Sequence, residues 1–229
     1  EGMVTRTVLI DSAVRRAAHR QLVIIGAGLD TRPWRMGELA GCALFCVDQP
    51  ASQADCRQRV AALQPVTGRL HWVAADLAVE PLGATLATAG HDPAEPTTWL
   101  WEGVVPYLTR RAVHATVEAL SERSAVGSTL IVHYQDRSLL ARIARRAAAF
   151  AARHGGPDDP MANEPWRSLW TPKQMAALLQ RHGFTVERDV SLFTAANWID
   201  APTTHRRALA NGHVAVATRR ATTPQATPG

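Results

Sequence analysis

The chain has 229 residues, of which 46% are hydrophobic and 20% are charged, with a formal net charge of +5. This length and apolar content suffice for one domain with a buried core, and they exclude a mainly disordered chain, a collagen and a coiled coil. No apolar run reaches the roughly 20 residues that a membrane span requires, and the mixed polar N-terminal region predicts no secretion signal. The three cysteines form no disulfide framework, and no His/Cys set has zinc-site spacing, so we expect a reducing cytoplasm and no metal site.

Arginine supplies nearly all of the positive charge, since Lys173 is the single lysine. The arginines occur singly or in pairs, such as Arg110 and Arg111, and not in the dense block that is typical of nucleic-acid-binding arms. We therefore interpret them as solvated surface and expect neither a nucleic-acid nor a membrane partner. The sequence carries no signal for an oligomeric state.

Short apolar runs alternate with helical patterns along the chain. The runs predict seven strands, at 21–26, 43–48, 70–76, 97–102, 128–134, 185–190 and 213–218. The first five are nearly continuous in apolar residues, which is typical of buried parallel strands, whereas 185–190 alternates as an edge strand does. Helices are predicted over 53–63, 110–123 with Thr109 as N-cap, 138–154, and from Pro172 after the N-cap Thr171 to a stop at Gly183.

This alternation predicts an α/β fold, with a mostly parallel seven-stranded sheet and helices on both faces. We expect one domain over residues 1–220 and a disordered tail over 221–229. In an open parallel sheet, ligands bind beyond the carboxyl ends of the strands, so the residues at those ends are the candidate site residues.

The first strand ends in Gly26-Ala27-Gly28, where glycines let the backbone turn sharply and approach a ligand. Thr31 stands where a dinucleotide fingerprint has a third glycine, which disfavours a dinucleotide without excluding it. The second strand ends in Asp48, about twenty residues later, where an acidic side chain accepts hydrogen bonds from ribose hydroxyls; an ordinary loop or capping role is the alternative.

The third strand ends in Asp76-Leu77, which could take an adenine amino group and cover one ring face, although a turn aspartate has the same pattern. Glu102 ends the fourth strand, and a carboxylate there needs a partner such as a ligand ammonium or an arginine. Tyr107 is a candidate substrate-side phenol or a core aromatic. His133, near the end of the fifth strand, faces a substrate or is a hydrogen-bonded interior histidine.

Carboxylates and glycines at four successive strand ends suit a compact adenosine ligand that bears an amino acid. Five segments follow one another along the chain: Arg6-Thr7 with Ile10-Asp11, Val-Ile-Ile-Gly-Ala-Gly-Leu-Asp-Thr-Arg at 23–32, Val-Asp-Gln-Pro at 47–50, Ala-Asp-Leu at 75–77, and Glu-Gly-Val-Val-Pro-Tyr-Leu at 102–108. In this order they resemble the leucine carboxyl methyltransferase family, which includes protein phosphatase carboxyl methyltransferases and bacterial tetracenomycin-type O-methyltransferases. Residues 29–32 and 48–50 are closer to the bacterial branch, and the match covers most of the chain.

The resemblance implies a class I methyltransferase fold, which is Rossmann-like, with S-adenosyl-L-methionine as methyl donor and S-adenosyl-L-homocysteine as product. By family analogy, Arg6 would pair with the methionine carboxylate, Asp48 would hold the ribose, and Glu102 would help to fix the cofactor. The other residues that the resemblance places at the cofactor are Gly26, Ala27, Gly28, Gln49, Asp76 and Leu77.

The sequence therefore predicts an O-methyltransferase that acts on a carboxylate or hydroxyl of a small secondary metabolite, an anionic or phenolic acceptor. A carboxylate is already ionised, whereas a hydroxyl needs a general base, for which His133 is the candidate, with Tyr107 orienting the acceptor. We expect 155–170, with Trp166 and Trp170, to cover the substrate or to form a surface loop anchored by tryptophans. An NAD(P)-dependent oxidoreductase and a cofactor-binding protein without activity are the alternative functions.

Overall fold

A computed structural model describes residues 2–77, 80–136, 166–198 and 211–221. The predicted helix at 138–154 and the predicted tail beyond residue 221 lie outside these described residues. Within them, no helix is both long enough and apolar enough to cross a membrane.

All seven predicted strands are present, with ends that differ from the prediction by at most two residues. They are β1 (Gln21–Ile25), β2 (Ala43–Asp48), β3 (Leu70–Ala74), β4 (Thr97–Trp101), β5 (Thr129–Gln135), β6 (Phe184–Ser191) and β7 (Gly212–Arg219). They form one sheet in the order β3-β2-β1-β4-β5-β7-β6. The strands β1 to β5 are parallel, and β7 is antiparallel to both of its neighbours. The alternating strand β6 lies at the sheet edge, as predicted.

The strand order reverses at β1, which pairs with β2 on one side and with β4 on the other. In open α/β sheets, the carboxyl ends of the strands at such a reversal are the place where ligands bind. This topological switch point lies where the sequence places the glycine turn and Glu102.

Helices cover both faces of the sheet, which confirms the predicted layers. They are α1 (Gly2–Ala17), α2 (Arg32–Arg35), α3 (Pro50–Arg59), α4 (Leu82–Thr88), α5 (Arg110–Glu122), α6 (Pro172–Arg181) and α7 (Leu192–Trp198). Two of them begin at the predicted caps: the Thr109 side chain accepts from the backbone N–H of Ala112, and Thr171 forms a capping box with Gln174. The helix predicted over 53–63 instead begins at the proline at position 50, because proline is favoured in the first turn.

The sheet separates two apolar cores. One core contains Trp99 and Trp101 of β4, together with the inner faces of α4, α5 and α6. The other core contains Leu100 of β4, with the inner faces of α1 and α7. The helix α1 was not predicted; it buries Ile10, Ala13 and Val14, whose spacing forms one helical stripe against the sheet. Its docking brings the N-terminal segment to the carboxyl edge of the central strands.

Candidate active site

The turn after β1 has the backbone conformation that its glycines allow. Gly26 and Gly28 have φ angles of +66° and +49°, in the left-handed region. A Cβ on residue 26 would overlap the side chain of Val104, which follows β4, so the turn packs closely against the neighbouring loop. The backbone N–H of Ala27 donates to the carbonyl of Val47 at 2.9 Å, and this bond ties the turn to the end of β2.

The Asp48 carboxylate is fixed by two backbone donors. The N–H of Gly28 donates to Oδ2 at 2.5 Å, and the N–H of Gln49 donates to Oδ1 at 2.7 Å. Each carboxylate oxygen can accept a second hydrogen bond, so the carboxylate can still receive a diol. The glycine turn and the end of β2 are thus joined through Asp48, to which Gln49 contributes its main chain. The ribose-binding role of Asp48 stays a prediction.

Asp76 and Leu77 follow β3 on the same edge of the sheet. Both are partly buried, and Leu77 packs against the core that contains Trp99. The backbone carbonyl of Asp76 accepts from the N–H of Glu80 at 2.8 Å, so the residue also begins a turn. The turn interpretation and the adenine interpretation are compatible here, since the turn uses the main chain.

Glu102 lies between two arginines, which is one of the two kinds of partner expected for it. Nε of Arg6 donates to Oε1 at 2.6 Å, and Nη1 of Arg32 donates to Oε2 at 2.9 Å. Arg6 comes from α1 and Arg32 begins α2, so the carboxylate at the end of β4 joins two helices to the sheet. The expected contact of Arg6 with a methionine carboxylate stays a prediction, and Glu102 is its ion-pair partner in this structure.

These residues belong to a larger arginine–carboxylate cluster, which consists of Arg6, Arg32, Arg35, Asp11, Asp30 and Glu102. Burial lowers the affinity of Arg32 for its proton, but the charges of Asp30, Glu102 and Asp11 outweigh burial and raise the pKa of Arg32 above its usual value. Burial also raises the pKa of Asp11, but hydrogen bonds and charges from Arg35 and Arg32 outweigh it, and the net pKa is lowered. For Asp30, burial dominates, and the pKa is raised.

The sequence analysis missed Asp11, Asp30 and Arg32 as functional candidates. All three stand in the segments that carry the family resemblance, at 10–11 and 29–32, and this was the available signal. Their partners were not visible because Asp11 and Arg32 are 21 positions apart, and Arg32 and Glu102 are 70 apart.

His133 is an interior residue with 2% of its surface exposed. Among the residues that the structure describes, neither ring nitrogen has a hydrogen-bond partner, which differs from the hydrogen-bonded interior histidine that was the alternative. Burial, followed by the charges of Arg6 and His213, lowers the pKa of His133 to about 3. The imidazole is therefore neutral and weakly basic at neutral pH, and its role as a general base stays a prediction.

Tyr107 lies in a short turn, Val105–Tyr107, and 40% of its surface is exposed. The core-aromatic alternative is therefore wrong for this residue. The turn begins three residues after Glu102, in the connection between β4 and α5. An orienting role for Tyr107 toward an acceptor stays a prediction.

Tyr134 follows His133 near the end of β5 and is an interior residue. Its side chain is buried, and its hydroxyl donates to Oδ2 of Asp189 at 2.5 Å. Burial and this hydrogen bond raise the pKa of the Tyr134 hydroxyl well above its usual value. The other oxygen of Asp189 lies 3.0 Å from Nδ1 of His213, at the start of β7. The sequence did not indicate this network, because it crosses three strands from separate parts of the chain.

The described part of the predicted substrate cover, residues 166–170, packs onto the turn that carries Tyr107. The N–H of Arg167 donates to the carbonyl of Pro106 at 2.6 Å, and the N–H of Trp170 donates to the carbonyl of Gln135 at 2.9 Å. Trp170 is buried, with the guanidinium carbon of Arg110 4.2 Å from its ring centroid. These contacts agree with a loop anchored by tryptophan, and residues 155–165 lie outside the described ranges.

The model of the leucine carboxyl methyltransferase family matches residues 1–121. The chain belongs to this family. A protein of Streptomyces avermitilis, with the provisional name S-adenosyl-L-methionine-dependent methyltransferase, is 35% identical over 179 residues, which are 73% of this chain and 62% of that protein. A Frankia alni protein with the same provisional name is 38% identical over 160 residues, 66% of this chain and 54% of that protein. The chain spans about three fifths or less of the length of these relatives.

Solved structures show the same fold as this member of the family. A DUF574 family protein from Streptomyces avermitilis has a TM-score of 0.67 at 18% identity, over 94% of this chain and 82% of that chain. Magnesium protoporphyrin IX methyltransferase from Synechocystis, solved with bound S-adenosylhomocysteine, has a TM-score of 0.60 at 14% identity, over 95% and 83%. The predicted class I methyltransferase fold is confirmed.

Proposed function

We propose that this family member binds S-adenosyl-L-methionine across the carboxyl ends of β1 to β4 and transfers its methyl group to an oxygen of a small acceptor. The observation that carries the proposal is Glu102, held between Arg6 and Arg32 beside the glycine turn. An amino-acid zwitterion needs an anion and a cation next to each other, and Glu102 with Arg6 supplies this pair. The nucleoside end would lie on the opposite side of the glycine turn, toward Asp48.

The residues at the strand ends fit the parts of this cofactor in chain order. Asp48, fixed by two backbone donors, would accept from the ribose hydroxyls. Asp76 would accept from the adenine amino group, with Leu77 against one ring face. Gly28 would leave room for the cofactor beside the main chain, and Gly26 with Ala27 would shape the turn that brings this main chain to the cofactor.

The cofactor, when bound, supplies a methyl group carried on a sulfonium sulfur. The leaving group is a neutral thioether, which requires no protonation. The chain then has to align the acceptor oxygen and exclude water, and alignment is worth up to about 7–11 kcal/mol in well-oriented reactions. A carboxylate acceptor needs no proton removal. A hydroxyl acceptor needs a base, and the lowered pKa of His133 makes that imidazole a weak one. We therefore favour a carboxylate of a small anionic metabolite, with Tyr107 orienting it, and we place it in secondary metabolism.

The change in melting temperature on ligand addition distinguishes the proposed methyltransferase from the alternative, an NAD(P)-dependent oxidoreductase. S-adenosylhomocysteine at 100 times its dissociation constant adds about 2.7 kcal/mol to the free energy of unfolding. For a chain of this size, that corresponds to a rise in Tm of roughly 5–10 °C. NAD(H) at the same concentration should leave Tm unchanged. A rise with NAD(H) alone would exclude the proposal.

Turnover separates an enzyme from a silent binding protein. Transfer of a labelled methyl group to a panel of carboxylic acids and phenols is the measurement. We expect carboxylic acids to be methylated with a rate that is flat between pH 6 and 8, because the acceptor is ionised throughout. Methylation of phenols alone, with a rate that rises with pH, would contradict the carboxylate assignment.

A further inference from the structure

Arg32 contacts carboxylates from three different parts of the fold. Its Nε donates to Oδ1 of Asp11 on α1 at 2.7 Å. Its Nη1 donates to Oδ2 of Asp30, just after the glycine turn, at 2.5 Å, and to Oε2 of Glu102 at 2.9 Å. The guanidinium is planar and rigid, so these contacts fix the relative positions of the three carboxylates.

Burial distinguishes the two arginines that hold Glu102. The Arg32 side chain is 4% exposed, whereas the Arg6 side chain is 24% exposed. Arg6 therefore has room to exchange Glu102 for another anion, and Arg32 is enclosed by its partners. When the ammonium of a zwitterion approaches Glu102, we expect Arg32 to keep its ion pair with Glu102 and Arg6 to turn to the carboxylate of the zwitterion.

Arg32 also holds two neighbouring carboxylates close together. Asp30 and Glu102 both contact the same Nη1 atom, and the negative charge of Glu102 raises the pKa of Asp30. Without the guanidinium, the two carboxylates would repel each other, and Glu102 would turn away from Asp30. A rotated Glu102 would bind an ammonium poorly.

We propose that Arg32 is a positioning residue of the cofactor site, which holds Glu102 oriented to receive the ammonium of the methionine end. The proposal rests on the proposed function. Arg32 acts on the amino-acid end of the cofactor through Glu102. The adenosine end, which Asp48 and Asp76 would hold, should not depend on Arg32.

Two ligands distinguish the amino-acid end of the cofactor from its adenosine end. S-adenosylhomocysteine carries both the adenosine and the amino acid, whereas 5′-methylthioadenosine keeps the adenosine with a methylthio group and lacks the amino acid. Removal of one partner from a buried charge pair costs at least about 2 kcal/mol, which is roughly a 30-fold change in affinity. For Arg32→Met, we expect the dissociation constant of S-adenosylhomocysteine to rise about 30-fold or more, and that of 5′-methylthioadenosine to change by less than about twofold. Calorimetric titration measures both.

A double-mutant cycle tests whether the effect passes through Glu102. In the Glu102→Gln background, the further change Arg32→Met should weaken S-adenosylhomocysteine by less than about threefold, because the carboxylate that Arg32 positions is already gone. Arg32→Lys keeps the charge but not the planar fork, and we expect it to recover part of the lost affinity. If Arg32→Met does not fold, Arg32→Lys takes its place in the cycle.

Arg35 provides the matched control. It pairs with the same Asp11, at 2.5 Å, but it does not contact Glu102. Arg35→Met loses an ion pair to α1, so a small fall in Tm is expected with an unchanged affinity for S-adenosylhomocysteine. Thermal melts of every variant show how much of each effect is structural.

The outcomes separate this proposal from the proposed function. If the wild-type chain binds neither ligand, the proposed function fails, and the role of Arg32 fails with it. If the wild-type chain binds S-adenosylhomocysteine and Arg32→Met leaves that affinity unchanged, only the role of Arg32 fails. An equal loss for both ligands, or a loss of full size that persists in the Glu102→Gln background, would show a purely structural role and overturn the proposal.

Discussion

In the glycine turn after β1, a change of glycine to alanine can lower stability in two ways, through backbone strain and through overlap with a neighbouring side chain. Gly26 and Gly28 both have positive φ, so alanine at either position is strained by about 1–2 kcal/mol. At residue 26 the new Cβ would also overlap Cγ2 of Val104, whereas at residue 28 no atom lies closer than 4.0 Å. Overpacking of this kind costs a further 1–3 kcal/mol or so. We expect Gly28→Ala to lower the free energy of unfolding by about 1–2 kcal/mol and Gly26→Ala to lower it by about 2–5 kcal/mol.

Urea unfolding at neutral pH measures these differences, and Val104→Ala provides the rescue. This change removes Cγ2, so the overlap is relieved in the Gly26→Ala/Val104→Ala double variant. The double variant should regain the stability lost to the overlap, with a coupling of about 1–3 kcal/mol. The same change should show no coupling to Gly28→Ala. Equal costs at the two glycines, or a double variant that is merely additive, would refute the account of the turn.

Three further changes test the site and its supports. Asp48→Asn places an amide N–H₂ group against the backbone N–H of Gly28 or Gln49. We therefore expect stability to fall by about 1–3 kcal/mol and the affinity for S-adenosylhomocysteine to fall at least about tenfold. An unchanged affinity on calorimetric titration would contradict the assignment of Asp48 to the ribose. The pKa of His133 falls from 6.5 to about 3 on folding, so below pH 6.5 the unfolded chain binds a proton that the folded chain does not. The wild type should therefore lose about 2 kcal/mol between pH 7 and pH 5 that His133→Leu retains, and parallel pH profiles in urea would disprove this linkage. Thr171→Ala removes the capping box of α6 and should cost about 1 kcal/mol in the same assay, whereas no loss would mean that the cap is dispensable.

The strands were predictable because their signal is local. Runs such as Leu22 to Ile25 are apolar at every position, and a buried parallel strand is fully covered on both faces. The short helices α2, α4 and α7 were missed because they have four to seven residues, too few to show a helical period. The helix α1 is longer, but which of its residues are buried is decided by its contact with the sheet, so it was not predicted.

The candidate site was predictable in part for the same reason. Asp48, Asp76 and Glu102 were found because each stands at a strand end, or within two residues of one, that the sequence marks. Asp189 and His213 were not found, since they stand in β6 and β7, which reach Tyr134 only after β7 has paired with β5 and β6 has paired with β7. The hydrogen bond from Tyr134 to Asp189 joins residues 55 positions apart.

The amino-acid sequence by itself determined the α/β alternation, the strands and the residues at their carboxyl ends, because these depend on near neighbours along the chain. Only the tertiary structure decided that Glu102 lies between Arg6 and Arg32, that Asp11 joins α1 to this cluster, and that His133 is a neutral interior residue. Ion pairing and burial depend on distances between side chains from remote segments. Those distances exist only after the helices have docked on the sheet.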